Sequence, residues 1–322
     1  MSYEEFIAYV KENILDWIPQ NEEMSVEVKV SKKNNGVDEE YLFIQKTKKT
    51  GDTITPMLYL RPVYENYIMG MPMESVLNEL ANAYLNAAEL EFDFKKLLDY
   101  KVVKDSIIVA LVNTEANKNL LQNLPHQSMN GLSVIYKIDV MHCPIWYDKD
   151  SNLNAAVNIT YNLIEAYGIT QEELHQTALE NTERLYPPVM RGLHNFIQEL
   201  MFEDMVEEIQ PNKDDIYCLT NSQTYMGAAA ILYPEKMEEI IQKLGDVYII
   251  PSSIHEVLLV PKTFGQDAES LRQMLCEVNE ECVEPKDYLA DKIYEYEPNQ
   301  KKLVIASGQQ IPIQKKTPTR RL

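Results

Sequence analysis

Apolar and polar positions along this chain switch repeatedly between a period near 3.6 and a period of 2, a pattern that predicts mixed helices and strands. Phe6, Val10, Ile14 and Trp17 recur at helical spacing, with Ser2 as a cap, Glu4 and Glu5 in the first turn and Pro19 as the stop. Met24, Val26, Val28 and Val30 then alternate with Ser25, Glu27 and Lys29, the signature of a half-buried strand. A polar turn at Lys33–Gly36 and a second extended run, Tyr41–Lys46, complete an antiparallel hairpin. A third extended piece, Ile54–Leu60, precedes Pro62. Met73–Leu90 predicts a helix, with Met73, Val76, Leu77, Leu80, Tyr84 and Ala87 on one stripe and Asn78, Asn82 and Asn86 off it. A helix near Phe94–Asp99, a strand around Ser106–Val112 and a short helix Glu115–Leu124 follow.

The second half opens on an apolar run, Leu132–Val140, read as a strand, then a turn at Asp148–Asn152 and a strand at Ala155–Thr160. Tyr161–Tyr167 and Gln171–Leu185 read as helices, the second with Thr170 and Glu173 spaced as a capping box. Pro187 and Pro188 break it and are expected to open a further helix, Val189–Val206. A strand around Tyr217–Leu219 leads into Gly227–Pro261, which reads as an Ala-rich strand, a helix Pro234–Leu244, and strands Val247–Ile250 and Glu256–Val260. A helix near Asp267–Cys282, with Leu271, Leu275, Val278 and Cys282 inward, and strands Ile293–Tyr296 and Leu303–Ala306 close the chain.

These elements predict an α+β fold of mixed and antiparallel sheets packed with amphipathic helices, in two α+β halves. The expected domains are residues 1–126 and 127–306, followed by a disordered basic tail, 307–322. Residues 154–167 and 227–244 share a small-residue strand followed by a helix, a possible internal echo.

Four phrases carry a family resemblance. They are Thr55–Leu60 with Tyr64 and Glu65; Asn113–Leu121 leading to Leu124, Pro125 and His126; Ala178–Thr182; and Gly245–Val257. With these phrases the chain resembles an uncharacterised domain-of-unknown-function family of Gram-positive bacteria, DUF5688, and is more distantly similar to a second such family, DUF1444. The resemblance runs from the first helix to Ala306 and implies a cytoplasmic bacterial protein. It assigns no activity to any residue.

Composition narrows the function more than it identifies it. The chain has 322 residues and a formal net charge of −20. Its last sixteen residues hold four cations and no acid, so the remaining body carries −24. A body that acidic repels a phosphate backbone and an anionic membrane surface, which argues against both as partners. Cys143, Cys218, Cys276 and Cys282 are scattered with no CxxC pair, as expected of reduced thiols in the cytoplasm. The opening residues Met1–Ile14 lack the basic and apolar regions of a signal peptide, and no apolar run approaches the roughly 20 residues of a membrane span.

Twenty tyrosines stand against ten glycines, and no phosphate-binding glycine motif is present. The five histidines, His126, His142, His175, His194 and His255, form no HExxH. Glu172 and His175 make one Glu-x-x-His without the second copy that a di-iron bundle needs. His142 beside Cys143 points to the opposite face of an extended chain, poor geometry for a nucleophile and its base. No metal or cofactor is therefore expected.

Two stretches remain as candidate binding sites. Tyr59, Arg61, Tyr64 and Tyr67 place one guanidinium among three phenols, suited to a carboxylate or phosphate. They also read structurally, with Arg61 paired to Glu65 and the rings half-buried. His255 and Glu256, beside Ser252 and Ser253, offer imidazole, carboxylate and hydroxyl, though turn chemistry explains the serines without catalysis. The leading expectation is a binding module with a protein partner, in keeping with the tyrosine content. The rivals are a hydrolase or transferase with a dispersed site near Arg61 and the 245–260 hairpin, and an acidic decoy of DNA.

Overall fold

A computed structural model describes residues 1–19, 23–46, 56–88, 94–144, 156–193 and 215–309. The chain falls into two compact units, Met1–Val103 with Val140–Ala155, and Lys104–Asp139 with Ala156–Leu322. The fold is α+β, as its alternating periods predict.

In the first unit, α1 (Tyr3–Asn13) begins with the expected capping box: Ser2 Oγ accepts from the Glu5 amide and the Glu5 carboxylate accepts from the Ser2 amide. β1 (Met24–Lys32) and β2 (Asp38–Lys46) pair antiparallel with Val28 opposite Leu42, and β3 (Leu58–Tyr59) adds to β2. The turn between β1 and β2 needs positive φ at Asn35 and Gly36, which an Asn-Gly pair tolerates. Phe6, Val10, Leu42, Ile44, Leu80 and Tyr84 lie in one core. Trp17 does not join it and is exposed. A further departure follows β3: α2 (Leu60–Ile68) starts where the extended run was expected to end. Pro62 is its third residue, where the amide has no intrahelical partner to lose. α3 (Met73–Ala88) buries Val76, Leu77, Leu80, Ala81 and Tyr84 as its stripe predicts, and a 3₁₀ segment, Phe94–Leu98, leads to the one-turn α4 (Tyr100–Val103).

The second unit holds two antiparallel sheets. In the smaller, β6 (Leu132–Asp139) is central; β4 (Ile107–Asn113) lines one side, and β5 (His126–Met129) and β7 (Ala156–Asn158) share the other. The expected Glu115–Leu124 helix is a single turn, α5 (Lys118–Leu121), and β5 carried too little alternation to be foreseen. α6 (Tyr161–Tyr167) and α7 (Gln171–Leu185) match their patterns, α7 with its Thr170–Glu173 capping box. The larger sheet runs β13-β12-β10-β11-β9-β8, with β8 (Pro188–Gly192), β9 (Tyr217–Asn221), β10 (Val247–Ile250), β11 (Val257–Pro261), β12 (Tyr294–Glu297) and β13 (Lys302–Ile305). The helix Ala268–Glu281 packs Leu271 and Leu275 on Ile250, Val260 and Ile293.

Three expectations fail here. Val189 opens no helix: Pro188–Gly192 is an edge strand on β9, a position where proline's missing amide costs no ladder bond, while 194–214, with His194, lies outside the described residues. Gly227–Leu232 is a buried 3₁₀ helix rather than a strand, so the strand-then-helix echo of 154–167 is absent at its first element. It packs between β9 and β4, and its small side chains permit that close approach. Val278 and Cys282 point outward, and buried Asn279 takes the inward place instead, donating to the Ala290 carbonyl at 2.9 Å. The Asp148–Asn152 turn and the tail from 310 onward lie outside the described residues.

Candidate functional site

The first group of predicted residues sits at the start of α2. The Arg61 guanidinium lies 3.9 Å above the Tyr3 ring, which packs 4.9 Å from Tyr64. Tyr64 and Tyr67 stack 6.3 Å apart, and both rings lean on buried Phe6. Helical spacing brings Tyr64 and Tyr67 together, because residues three apart share a face. Burial and the Glu40 carboxylate that accepts its hydroxyl push Tyr3 up to about 12. Tyr59 stands apart, its hydroxyl engaged by Lys33. Arg61 thus meets a ring of α1 instead of a simple Glu65 pair, and Tyr3 is the member that spacing did not reveal.

The second group lies in the connection between β10 and β11. That connection is pinned by the chain after the last helix: Ile254 donates to the Asp287 carbonyl at 2.8 Å, and Leu289 and Ala290 donate to the Ser252 and Pro251 carbonyls at 3.0 Å each. Ser253 Oγ accepts from the His255 amide at 2.9 Å and donates to the Glu256 carboxylate, the turn chemistry its sequence suggests. His255 Nε2 faces Asp287 Oδ1 at 3.5 Å, and Nδ1 accepts from the Met226 amide at 3.3 Å. That bond places the proton of the neutral ring on Nε2. Burial works against the charged imidazole, but Asp287, Glu256 and the Thr224 carbonyl outweigh it and hold its pKa above the usual value. Burial raises the Glu256 carboxyl.

Met226 belongs to a strained loop. Thr224 and Met226 have φ of 51° and 52°, and Asn221 Oδ1 accepts from the Gln223 and Tyr225 amides to hold the turn. Tyr225 lies 6.5 Å from the His255 ring and 6.2 Å from Tyr186, whose hydroxyl donates to buried Asp139 at 2.5 Å. Burial and the Asp139 charge push Tyr225 up to about 12. Sequence reasoning missed Asp287, Tyr225, Tyr186 and Asp139. They come from four separate elements, and no local spacing announces them.

His175, Cys143 and Cys218 have ordinary surroundings. His175 Nδ1 meets the Tyr136 hydroxyl at 3.1 Å, and burial lowers its pKa. Cys143 is buried while His142 is exposed. Cys218 is sealed inside the larger sheet, where burial pushes its thiol up to about 12. Among the described residues no three His, Cys, Asp or Glu side chains are grouped to hold a metal, and no helix is long and apolar enough to cross a membrane.

A stability test follows from His255. A pKa held above about 6.5 stabilises the fold fully below that value and loses the contribution as pH rises through the folded-state pKa. The difference in unfolding free energy between the native chain and His255→Gln is expected to shrink as the pH rises above about 6.5. Urea unfolding at a series of pH values measures it, and a difference that stays flat refutes the assignment.

No curated protein and no solved structure matches the chain. The more distant DUF1444 similarity stays an expectation. A family model matches residues 3–298, nearly the whole chain, and the chain therefore belongs to the family of unknown function DUF5688.

Proposed function

We propose that this protein is a binding module acting through protein contacts, with the Tyr3, Arg61, Tyr64 and Tyr67 face as its recognition surface. One observation carries the reading: a guanidinium stacked on one ring, with two further rings beside it, all partly exposed and held on two helices, α1 and α2. Tyrosine and arginine are the residues that dominate contact energy at protein interfaces, because they present large area at small conformational cost. The hydrolase or transferase reading has less support. Both ring nitrogens of His255 are already committed, to Met226 and to Asp287, which leaves no lone pair for a substrate proton. Four free cysteines and the family resemblance support a bacterial cytoplasmic setting.

The test uses the immobilised full chain in a bacterial extract, with captured proteins identified by mass spectrometry. Arg61→Glu, with an unchanged far-UV circular dichroism spectrum, is expected to lose at least one protein that the native chain captures. The same captured set with both chains overturns the reading.

A further inference from the structure

β1 is an edge strand, and among the described residues it pairs with β2 alone. An edge presents a row of backbone donors and acceptors ready to pair with another chain. Proteins often blunt such an edge with charge, and β1 carries Glu27 and Lys29 on its solvent face. Their order is unusual. Ser25-Val26-Glu27-Val28-Lys29-Val30-Ser31 reads the same in both directions about Val28, except that the two charges exchange sign.

We propose that β1 pairs with β1 of a second copy of this chain, antiparallel, about a two-fold axis through Val28, joining two three-stranded sheets into one of six. In that register Glu27 of each copy stands opposite Lys29 of the other, Val26 opposite Val30, and Ser25 opposite Ser31. It is also the register that overlaps all nine residues, Met24–Lys32. A parallel pairing in register sets Glu27 against Glu27 and Lys29 against Lys29, so the charges select the antiparallel one.

The side chains fit this geometry. Glu27 Oε2 lies 3.2 Å from Lys29 Nζ on the exposed face of one strand, with the ammonium 3.6 Å from the centre of the Phe43 ring. Pairing extends this into an alternating row of four charges. Val30 is 56% exposed, although it shares its side of the strand with Met24, Val26 and Val28, which pack on the core. Pairing sets it against Val26 of the other copy. A two-fold axis makes the contact self-complementary and closed, which limits assembly through it to a dimer.

Sedimentation velocity of the full chain, from low to high micromolar concentration, tests this. The native chain is expected to show a concentration-dependent dimer. Glu27→Lys and Lys29→Glu each place like charges opposite one another twice across the axis and are expected to weaken the dimer by roughly tenfold or more. The double variant E27K/K29E restores complementarity and is expected to dimerise again. An equimolar mixture of the two single variants is expected to form a heterodimer. Far-UV circular dichroism checks that each variant is folded, and the rescue by the double variant separates loss of contact from loss of fold. A native chain that stays monomeric throughout, a dimer indifferent to the single reversals, or a double variant that fails to recover overturns the proposal. Arg61→Glu is expected to leave the dimer intact, so this result and partner capture are read independently.

Discussion

Gly227→Ala is expected to destabilise the protein by about 3 kcal/mol, near the upper end for an added core methyl. A β-carbon at this position falls 2.2 Å from Thr220 Oγ1, 2.5 Å from the His255 carbonyl oxygen and 2.8 Å from the Asn221 amide nitrogen. The Thr220 hydroxyl is buried and donates to that same His255 carbonyl at 2.7 Å, so turning away gives up a bond. The two backbone atoms are fixed, because Asn221 ends β9 and His255 is pinned to the chain around Asp287. Relief therefore requires the loop 221–227 to move outward, which withdraws the Met226 amide from His255 Nδ1. Urea unfolding measures the loss, and the His255 ring signals in NMR should shift with it. Adding Thr220→Ala removes one collision of three and is expected to recover only part of the stability. A Gly227→Ala protein within about 0.5 kcal/mol of the native one contradicts this packing.

Asn181→Ala is expected to cost about 2–3 kcal/mol, chiefly from the buried Ile107 carbonyl left without its donor. Asn181 projects from α7 onto the free side of β4, where Nδ2 donates to the Lys104 carbonyl at 2.6 Å and the Ile107 carbonyl at 3.1 Å. Its Oδ1 accepts from Arg184 at 3.0 Å. Thr182, the next residue, accepts from the Val109 amide at 2.9 Å and donates to Ala178 at 2.6 Å. β4 pairs only with β6 among the described residues, and these two side chains satisfy the edge that β6 leaves open. The Asn-Thr pair within Ala178–Thr182 is thus the fastening of a helix to an edge strand. Chemical denaturation gives the size of the effect, and amide exchange at Val109 reports whether the edge opens. A loss below about 1 kcal/mol, or an unchanged Val109 exchange rate, counts against the role.

Elements whose evidence is local were legible. Ser2 with Glu5 and Thr170 with Glu173 are satisfied within one helical turn, so four residues suffice to specify a helix start. The β1–β2 hairpin follows from alternation and an Asn-Gly turn, and β10, β12 and β13 lie within a residue of where their apolar runs place them. Where the outcome depended on a distant partner, pattern misled. Gly227–Leu232 has the small, apolar composition of a buried strand, yet it coils into a 3₁₀ helix between β9 and β4, with the Ala228 amide donating to the Ile254 carbonyl at 3.2 Å. Pro188 looked like a helix opener, but β9 offered a ladder on the side where its missing amide does no harm. Of the predicted site residues, Tyr64 and Tyr67 adjoin as helical spacing requires, and Ser253 serves the turn that holds His255 and Glu256.

By itself, the sequence determined the α+β class, the Ser2 and Thr170 caps, most of the strand periods, the acidic body and the self-complementary order of charges along β1. All of these rest on residues within about one turn or one strand of each other, where chain connectivity already brings the interacting groups together. Only the tertiary structure decided that Arg61 meets Tyr3 across about sixty positions, that Asp287 faces His255, and that Asn181 closes the edge of β4. Those contacts are specified by the packing of whole elements. Their separation along the chain carries no signal, because any of many acidic or aromatic residues was chemically able to fill each place.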